Sequence, residues 1–256
     1  MTSILILLKK ILSTKLIFNF LYYSIHCNIF FGFIQKNLFN YFRYKNYLFS
    51  VKKLNIPLSY YSSFFFKTYE INDRIILEKF LTKKNKCIII GAGIGFTSVI
   101  SYKITRNKVL CFEIDKKLKN ILIKNFLLNN VDYKLIIKNL TFKRNNKKSY
   151  FTSGNNFLEN NIFQKNKINE IKNIFYKNIP IKNFNTLIID AEGYEHEIIK
   201  NINKLKNIEY LYFELHPKIL NHHKQEEMFK LLRKYGFKRK FEFLDSYYFQ
   251  KQQNII

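Results

Sequence analysis

Four acid–base side chains lie in two short stretches of the second half of the chain. Asp190 and Glu192 follow the apolar run "NTLII". Glu214 and His216 end the run "EYLYFELH". Carboxylates and an imidazole move protons in general acid–base catalysis, and carboxylates also bind divalent cations. If the two runs are neighbouring strands, these residues form one cluster; the alternative is that they are solvated residues at strand ends.

A glycine-rich turn, "CIIIGAGIGFTS", occupies residues 87–98. Its isoleucines predict a buried strand, and Gly91, Gly93 and Gly95 follow that strand directly. Glycine allows a sharp turn and lets a ligand approach the bare backbone, while the helix that follows offers unpaired N–H groups to an anion. The turn predicts a cofactor site; the alternative is a tight strand-to-helix connection without a ligand.

Glu113 indicates which cofactor such a turn would bind. It lies 22 residues after Gly91, near the end of the next predicted strand. A carboxylate there can accept hydrogen bonds from both hydroxyls of a ribose, so it predicts an adenosyl ligand. Dinucleotide sites favour G-x-G-x-x-G, whereas this turn is G-x-G-x-G and has Phe96 at the last position. The spacing therefore favours S-adenosylmethionine over a nicotinamide dinucleotide.

The elements that must position these residues alternate from residue 71 onward. Short apolar runs predict strands, and segments with apolar residues at helical spacing predict helices. The predicted strands are 86–90, 108–115, 133–142, 185–190 and 209–215, and the predicted helices are 96–105, 118–130, 195–204 and 224–235. A hairpin turning at Leu244–Asp245 closes the chain. This order predicts an α/β fold with a doubly wound, mainly parallel sheet and a C-terminal antiparallel hairpin.

Residues 143–185 interrupt the alternating pattern. They are rich in Asn and Lys and have weak periodicity, apart from "INEIKNIFY", which predicts a short helix. We interpret the segment as an insertion at the edge of the sheet or over its ligand-binding face.

The N-terminal residues 1–68 are apolar and basic. Residues 16–34 contain no Lys, Arg, Asp or Glu and are just long enough to cross a bilayer. Three alternatives remain: a packed helical extension, a basic amphipathic helix within residues 1–45 that lies on a membrane surface, and a true membrane span. The predicted location is the cytoplasm, with membrane association left open.

The formal net charge of +26 suggests an anionic partner such as RNA or anionic lipid. However, Lys, Asn, Ile, Phe and Tyr are abundant together, as an adenine- and thymine-rich coding sequence would produce. The lysines are also spread along the whole chain, which disfavours nucleic acid without excluding it. The three cysteines are far apart and fit neither a disulfide framework nor a zinc site.

The segments "IIIGAGIGFTS", "VLCFEID", "NTLIIDAEGYEHEII" and "YLYFELHP", in this order, resemble the FkbM family of class I S-adenosylmethionine-dependent methyltransferases. The resemblance covers about residues 69–216, and "IDAEGYE" is its most specific part. It implies a seven-stranded Rossmann-like sheet in a domain of residues 69–256. It also implies S-adenosylmethionine bound over Gly91, Gly93, Gly95 and Glu113, and methylation of a hydroxyl on a sugar or small metabolite.

Two residues depart from the family pattern. Ile89 stands where the family carries an acid that helps to anchor the methionine end of the cofactor, and Ile188 stands where a lysine is common. Ile89 leaves open a degenerate, non-catalytic ligand-binding protein as an alternative. An RNA-directed methyltransferase is the other alternative, although "DAEG" differs from the proline-containing motif of many enzymes that methylate base nitrogens.

The predicted catalytic residues are Asp190, Glu192, Glu214 and His216. Asp190 is expected near the reacting centre, with His216 or Glu214 as the base that takes the proton of the acceptor hydroxyl. No resident metal is predicted, although Asp190, Glu192 and Glu214 could hold a divalent cation.

Overall fold

The computed structural model describes residues 28–52, 54–152 and 168–252. The chain divides into two compact units, residues 1–71 and residues 72–256. Among the described residues, no helix is long and apolar enough to cross a membrane. Most of the apolar run 16–34 precedes the described residues, so the alternatives for this run stay predictions.

The described part of the first unit combines two helices with a β-hairpin. Its elements are α1 (Ile29–Leu38), β1 (Tyr41–Tyr44), β2 (Tyr47–Ser50) and α2 (Leu58–Phe65). The hairpin pairs Phe42 with Phe49, and their rings stack with centroids 5.0 Å apart. The prediction of a helical extension missed this hairpin. Aromatic and polar residues alternate through "FRYK", which is the pattern of a half-buried strand.

The second unit contains the predicted α/β pattern. In chain order its helices and strands are α3 (Ile71–Phe80), β3 (Cys87–Ile90), α4 (Phe96–Thr105), β4 (Val109–Phe112), α5 (Lys119–Leu128), β5 (Tyr133–Ile136), β6 (Asn139–Thr141), β7 (Lys148–Thr152), β8 (Ile168–Phe175), β9 (Thr186–Ile189), α6 (Glu195–Lys200), β10 (Tyr210–Glu214), α7 (His222–Lys234), β11 (Phe237–Phe243) and β12 (Ser246–Lys251).

Seven of these strands form one sheet in the order β11-β12-β10-β9-β3-β4-β5. The pairs from β10 to β5 are parallel, while β12 runs antiparallel to β10 and β11. The predicted doubly wound sheet with its C-terminal antiparallel hairpin is therefore confirmed. Because β3, β4, β9 and β10 are parallel, their carboxyl ends meet at one edge of the sheet, where such folds bind ligands.

Side chains alternate between the two faces of this sheet. Ile88 and Ile90 of β3 point into a core cluster that includes residues of α6 and α7. Ile89 lies between them, so it points to the opposite face, where it is fully buried. Tyr212 lies between two cluster members of β10, Leu211 and Phe213, and so occupies the same face as Ile89.

The predicted strand 133–142 is split in two. Residues 133–136 end the seven-stranded sheet as β5, and β6 belongs to a separate three-stranded sheet of order β6-β8-β7. The amide of Asn139 donates hydrogen bonds to Ser149 Oγ (3.1 Å) and Asn173 Oδ1 (3.2 Å) in the second sheet. The residues that Asn139 contacts come later in the chain. The predicted strand 133–142 also contains no glycine or proline that would mark the break between β5 and β6.

The predicted helix at "INEIKNIFY" is wrong, because residues 168–175 form the strand β8. This strand pairs antiparallel with β7 and parallel with β6. Isoleucines three residues apart suggested a helix, but β-branched residues also suit strands, and pairing with two distant segments decided the conformation. The insertion therefore supplies two strands of the small sheet, with residues 153–167 outside the described part.

Candidate functional site

The three glycines of the turn after β3 all have positive φ, but their surroundings differ. Their φ angles are 85°, 54° and 90° at Gly91, Gly93 and Gly95. A Cβ on Gly91 would overlap the carbonyl oxygen of Asp190, and one on Gly95 would lie 3.0 Å from a ring atom of Phe126. Gly93 instead faces open space, with no atom within 4 Å of a Cβ added there. Gly93 is therefore the point at which a ligand can approach the backbone.

Glu113 lies directly after β4 and holds this turn in place. Its carboxylate accepts hydrogen bonds from the backbone N–H groups of Gly93 (2.7 Å), Ile114 (2.8 Å) and Asp115 (2.8 Å). Burial raises the pKa of Glu113 to about 7, against the lowering effect of these hydrogen bonds. A carboxylate accepts about four hydrogen bonds, so acceptor capacity remains next to the open space over Gly93.

The carboxyl ends of β9 and β10 bring three of the predicted catalytic residues together. His216 Nε2 lies 3.6 Å from Asp190 Oδ1 and 3.4 Å from Glu192 Oε2. All three side chains are partly exposed, with 17% to 29% of each accessible to solvent. These side chains are thus close together and accessible to a ligand.

Glu195, the first residue of α6, orients His216 and was missed as a site residue. It is fully buried, and its Oε1 accepts hydrogen bonds from the N–H groups of Ala191 (3.1 Å) and Gly193 (3.2 Å). The same oxygen lies 3.0 Å from His216 Nδ1. By sequence alone, an acid in a first helical turn indicates only a favourable interaction with the helix dipole. The signal that could have identified it is its place in "IDAEGYE".

The carboxylates around His216 keep its imidazole protonated. Burial opposes the positive charge, but the hydrogen bond that His216 donates to Glu195 and the charges of Glu195, Asp190 and Glu192 outweigh burial and raise the pKa of His216 to about 11. The pKa of Asp190 is raised, mainly by burial, against a lowering effect of His216. In this arrangement Asp190 is better placed than His216 to accept a proton at neutral pH.

Glu214, the fourth predicted residue, belongs to a second group around Asp190. Its carboxylate lies with those of Asp190 and Asp73, and the ligand atoms of the three are within 4.8 Å of one another. Asp73 comes from the first turn of α3 and is 1% exposed. No motif in the sequence identifies Asp73 as a site residue, because Asp190 and Glu214 follow it in the chain by more than a hundred residues.

Both groups are chemically able to hold a cation. The set Asp190, Glu192 and His216 combines oxygens with an imidazole, as transition metals accept, whereas Asp73, Asp190 and Glu214 offer oxygens alone, as Mg²⁺ and Ca²⁺ prefer. The sequence suggested one cation site made of Asp190, Glu192 and Glu214. In the structure Asp190 belongs to both sets, but Glu192 belongs only to the first and Glu214 only to the second. A metal at the first set would have to displace the proton of His216.

Comparison with known proteins gives one family match. Residues 90–239, more than half of the chain, match the model of the methyltransferase FkbM domain. No curated protein matches the sequence.

Solved structures with a similar fold are remote in sequence. P. horikoshii TYW2 in complex with MeSAdo is 12% identical, with a TM-score of 0.46 over 82% of this chain and 68% of that one. A methyltransferase from Pyrococcus furiosus is 17% identical, with a TM-score of 0.43 over 87% of this chain and 95% of that one. The ribosomal protein L11 methylase from Lactobacillus delbrueckii subsp. bulgaricus is 13% identical, with a TM-score of 0.43 over 70% and 77%.

Proposed function

The chain belongs to the FkbM family of S-adenosylmethionine-dependent methyltransferases, and we propose that it methylates a hydroxyl group of a sugar or another small molecule. Its residues 69–256 form the catalytic domain in this proposal. The observation that carries the choice of a hydroxyl acceptor is the position of Asp190, an acid of raised pKa in direct backbone contact with the glycine turn.

The residues around the glycine turn fit the proposed cofactor. The open space over Gly93 would admit it, and the remaining acceptor capacity of Glu113 suits the hydroxyls of its ribose. When bound, S-adenosylmethionine supplies an electrophilic methyl group. The chain has to align the acceptor oxygen with that methyl group and take the hydroxyl proton as the new bond forms.

Asp190 is the base in this proposal. Its backbone N–H donates to Ile90 O (3.0 Å), which ties the start of the β9–α6 turn to the end of β3 beside the cofactor. Burial raises the pKa of Asp190, which makes its carboxylate a stronger base than an exposed aspartate. His216 and Glu192 flank this carboxylate, so they are suited to bind other hydroxyls of the acceptor. Glu214 lines its other side.

A methyl-transfer assay tests the proposal. The full-length protein is incubated with S-adenosylmethionine that carries a labelled methyl group and, in separate reactions, with hydroxylated sugars, small phenols and total RNA. We expect label in a small hydroxylated compound and none in RNA. Label that appears in RNA alone would contradict the choice of a hydroxylated small molecule and favour the nucleic-acid alternative that the charge suggests.

A further inference from the structure

The chain lacks the acid that the resembling family carries two residues before the first glycine of the turn. Ile89 occupies that position and is fully buried on the face of the sheet that carries Tyr212. The question is therefore which acidic side chain reaches this face of the sheet. Asp73, which the proposed mechanism does not use, is that side chain.

Asp73 reaches this face from α3. Its Oδ1 accepts a hydrogen bond from the hydroxyl of Tyr212, and its Oδ2 lies 3.4 Å from Thr97 Oγ1. Thr97 stands in the first turn of α4, directly after the glycine turn. The Asp73 carboxylate is thus held between the sheet and the N-terminus of the helix that follows the cofactor turn, beside Asp190.

The order of the strands indicates which end of the cofactor meets Asp73. Glu113 ends β4 on one side of β3, and Asp190 follows β9 on the other side. If the ribose lies at Glu113, the methionine part of the cofactor crosses the glycine turn toward Asp190. That part carries an ammonium group, which needs a carboxylate partner when it leaves water.

The two carboxylates are close enough to share this group. Ligand atoms of Asp73 and Asp190 lie within 4.8 Å of each other. Each hydrogen bond from an ammonium to a carboxylate is about 2.8 Å long, so one ammonium between these oxygens can donate to both. The N-terminus of α4, next to Thr97, offers backbone N–H groups to the carboxylate of the same amino acid.

We propose that Asp73 replaces the acid missing at Ile89 and, with Asp190, binds the α-ammonium group of the cofactor. The proposal rests on the proposed function, because it assumes that the cofactor is bound over Gly93. It assigns to α3, outside the glycine motif, a residue that determines cofactor affinity.

Calorimetry with three ligands tests the assignment on the full-length protein. The ligands are S-adenosylhomocysteine, its analogue without the α-amino group, and 5′-methylthioadenosine, which lacks the amino-acid part.

Asp73→Asn keeps the size of the side chain and an acceptor for Tyr212. We expect this variant to bind S-adenosylhomocysteine about tenfold more weakly, with the affinity for 5′-methylthioadenosine unchanged within about twofold. Asp132→Asn, which alters an exposed aspartate paired with Lys108, is the matched control and should change neither.

The ligand without the amino group completes a thermodynamic cycle. It should bind the wild-type protein about tenfold more weakly than S-adenosylhomocysteine and lose no further affinity in Asp73→Asn. Adding Ile89→Asp to Asp73→Asn should restore affinity for S-adenosylhomocysteine, because it returns one carboxylate to the same face. Ile89→Asp alone should bring no gain.

The outcomes separate this inference from the proposed function. If wild-type protein binds none of the ligands, the proposed function fails and the inference fails with it. If wild type binds but Asp73→Asn loses both S-adenosylhomocysteine and 5′-methylthioadenosine equally, Asp73 is structural and the inference is overturned. If Asp73→Asn does not fold, the wild-type protein still decides, since equal affinity for the ligands with and without the amino group would overturn the inference.

Discussion

The site has a cofactor half and an acceptor half, and the two halves consist of different kinds of chemical group. The cofactor half, around Gly93 and Glu113, consists of backbone groups from one continuous segment and one carboxylate that holds them. The acceptor half consists of charged side chains from the ends of β9 and β10, joined by Glu195 from α6. The first half depends on local backbone conformation, and the second depends on electrostatic balance among distant residues.

This difference leads to an expectation for variants. Changes in the acceptor half should act mainly on turnover and on pH dependence, whereas changes in the cofactor half should act mainly on binding. Asp190 belongs to both halves, because its backbone contacts the glycine turn and its carboxylate lies near His216 and Glu214.

Asp190→Asn should have the largest effect. It removes the proposed base, so turnover at saturating cofactor should fall by about 10²- to 10⁴-fold. The affinity for S-adenosylhomocysteine should fall far less, by about tenfold, because only one of two carboxylates beside the ammonium group is neutralised. Initial rates and calorimetry measure the two effects. Unchanged turnover at saturating cofactor, with only the affinity reduced, would show that Asp190 acts only through cofactor binding.

Alanine at Gly91 and at Gly93 should separate folding from binding within the cofactor half. Gly91→Ala forces a methyl group against the carbonyl of Asp190 and should lower the free energy of unfolding by about 2–4 kcal/mol. Gly93→Ala meets open space, so it should cost about 1 kcal/mol for its positive φ and reduce cofactor affinity about tenfold. Denaturant unfolding and calorimetry test both. A Gly93→Ala variant with unchanged affinity would contradict the placement of the cofactor.

Glu195→Gln should have the smallest effect, seen as a change in pH dependence. The pKa of His216 is raised to about 11 in the folded protein, above the unfolded value of about 6.5. The stability it contributes is therefore complete below about pH 6.5 and is lost as pH rises through about 11. Gln at 195 removes the first of the carboxylates that raise this pKa, so the variant should be about 1–3 kcal/mol less stable at pH 7.

The same variant should lose less stability than wild type as the pH rises from 7 to 11. Glu197→Gln, in the same helical turn, is the control and should keep the wild-type slope. Denaturant midpoints across this pH range measure the slopes. Identical slopes in wild type and Glu195→Gln would contradict the account of His216.

The same contrast explains what the sequence could predict. The alternation of strands and helices, the glycine turn and the four acid–base residues after β9 and β10 all lie in local patterns, and the predicted sheet is confirmed. Asp73 has no local pattern that assigns it to the site, since it meets Asp190 and Glu214 only through the fold. Glu195 lies within "IDAEGYE", but its contact with His216 also depends on the fold. The split of β5 from β6, and strand β8 in place of a helix, have the same cause: pairing with distant segments outweighs local preference.

The open space over Gly93 should bind S-adenosylmethionine even though Ile89 replaces an acid. Titration of the full-length wild-type protein with S-adenosylhomocysteine in a calorimeter tests this expectation. We expect one binding site per chain with micromolar affinity, and competition by S-adenosylmethionine. Absence of binding heat up to high micromolar ligand, from protein shown to be folded, would contradict it.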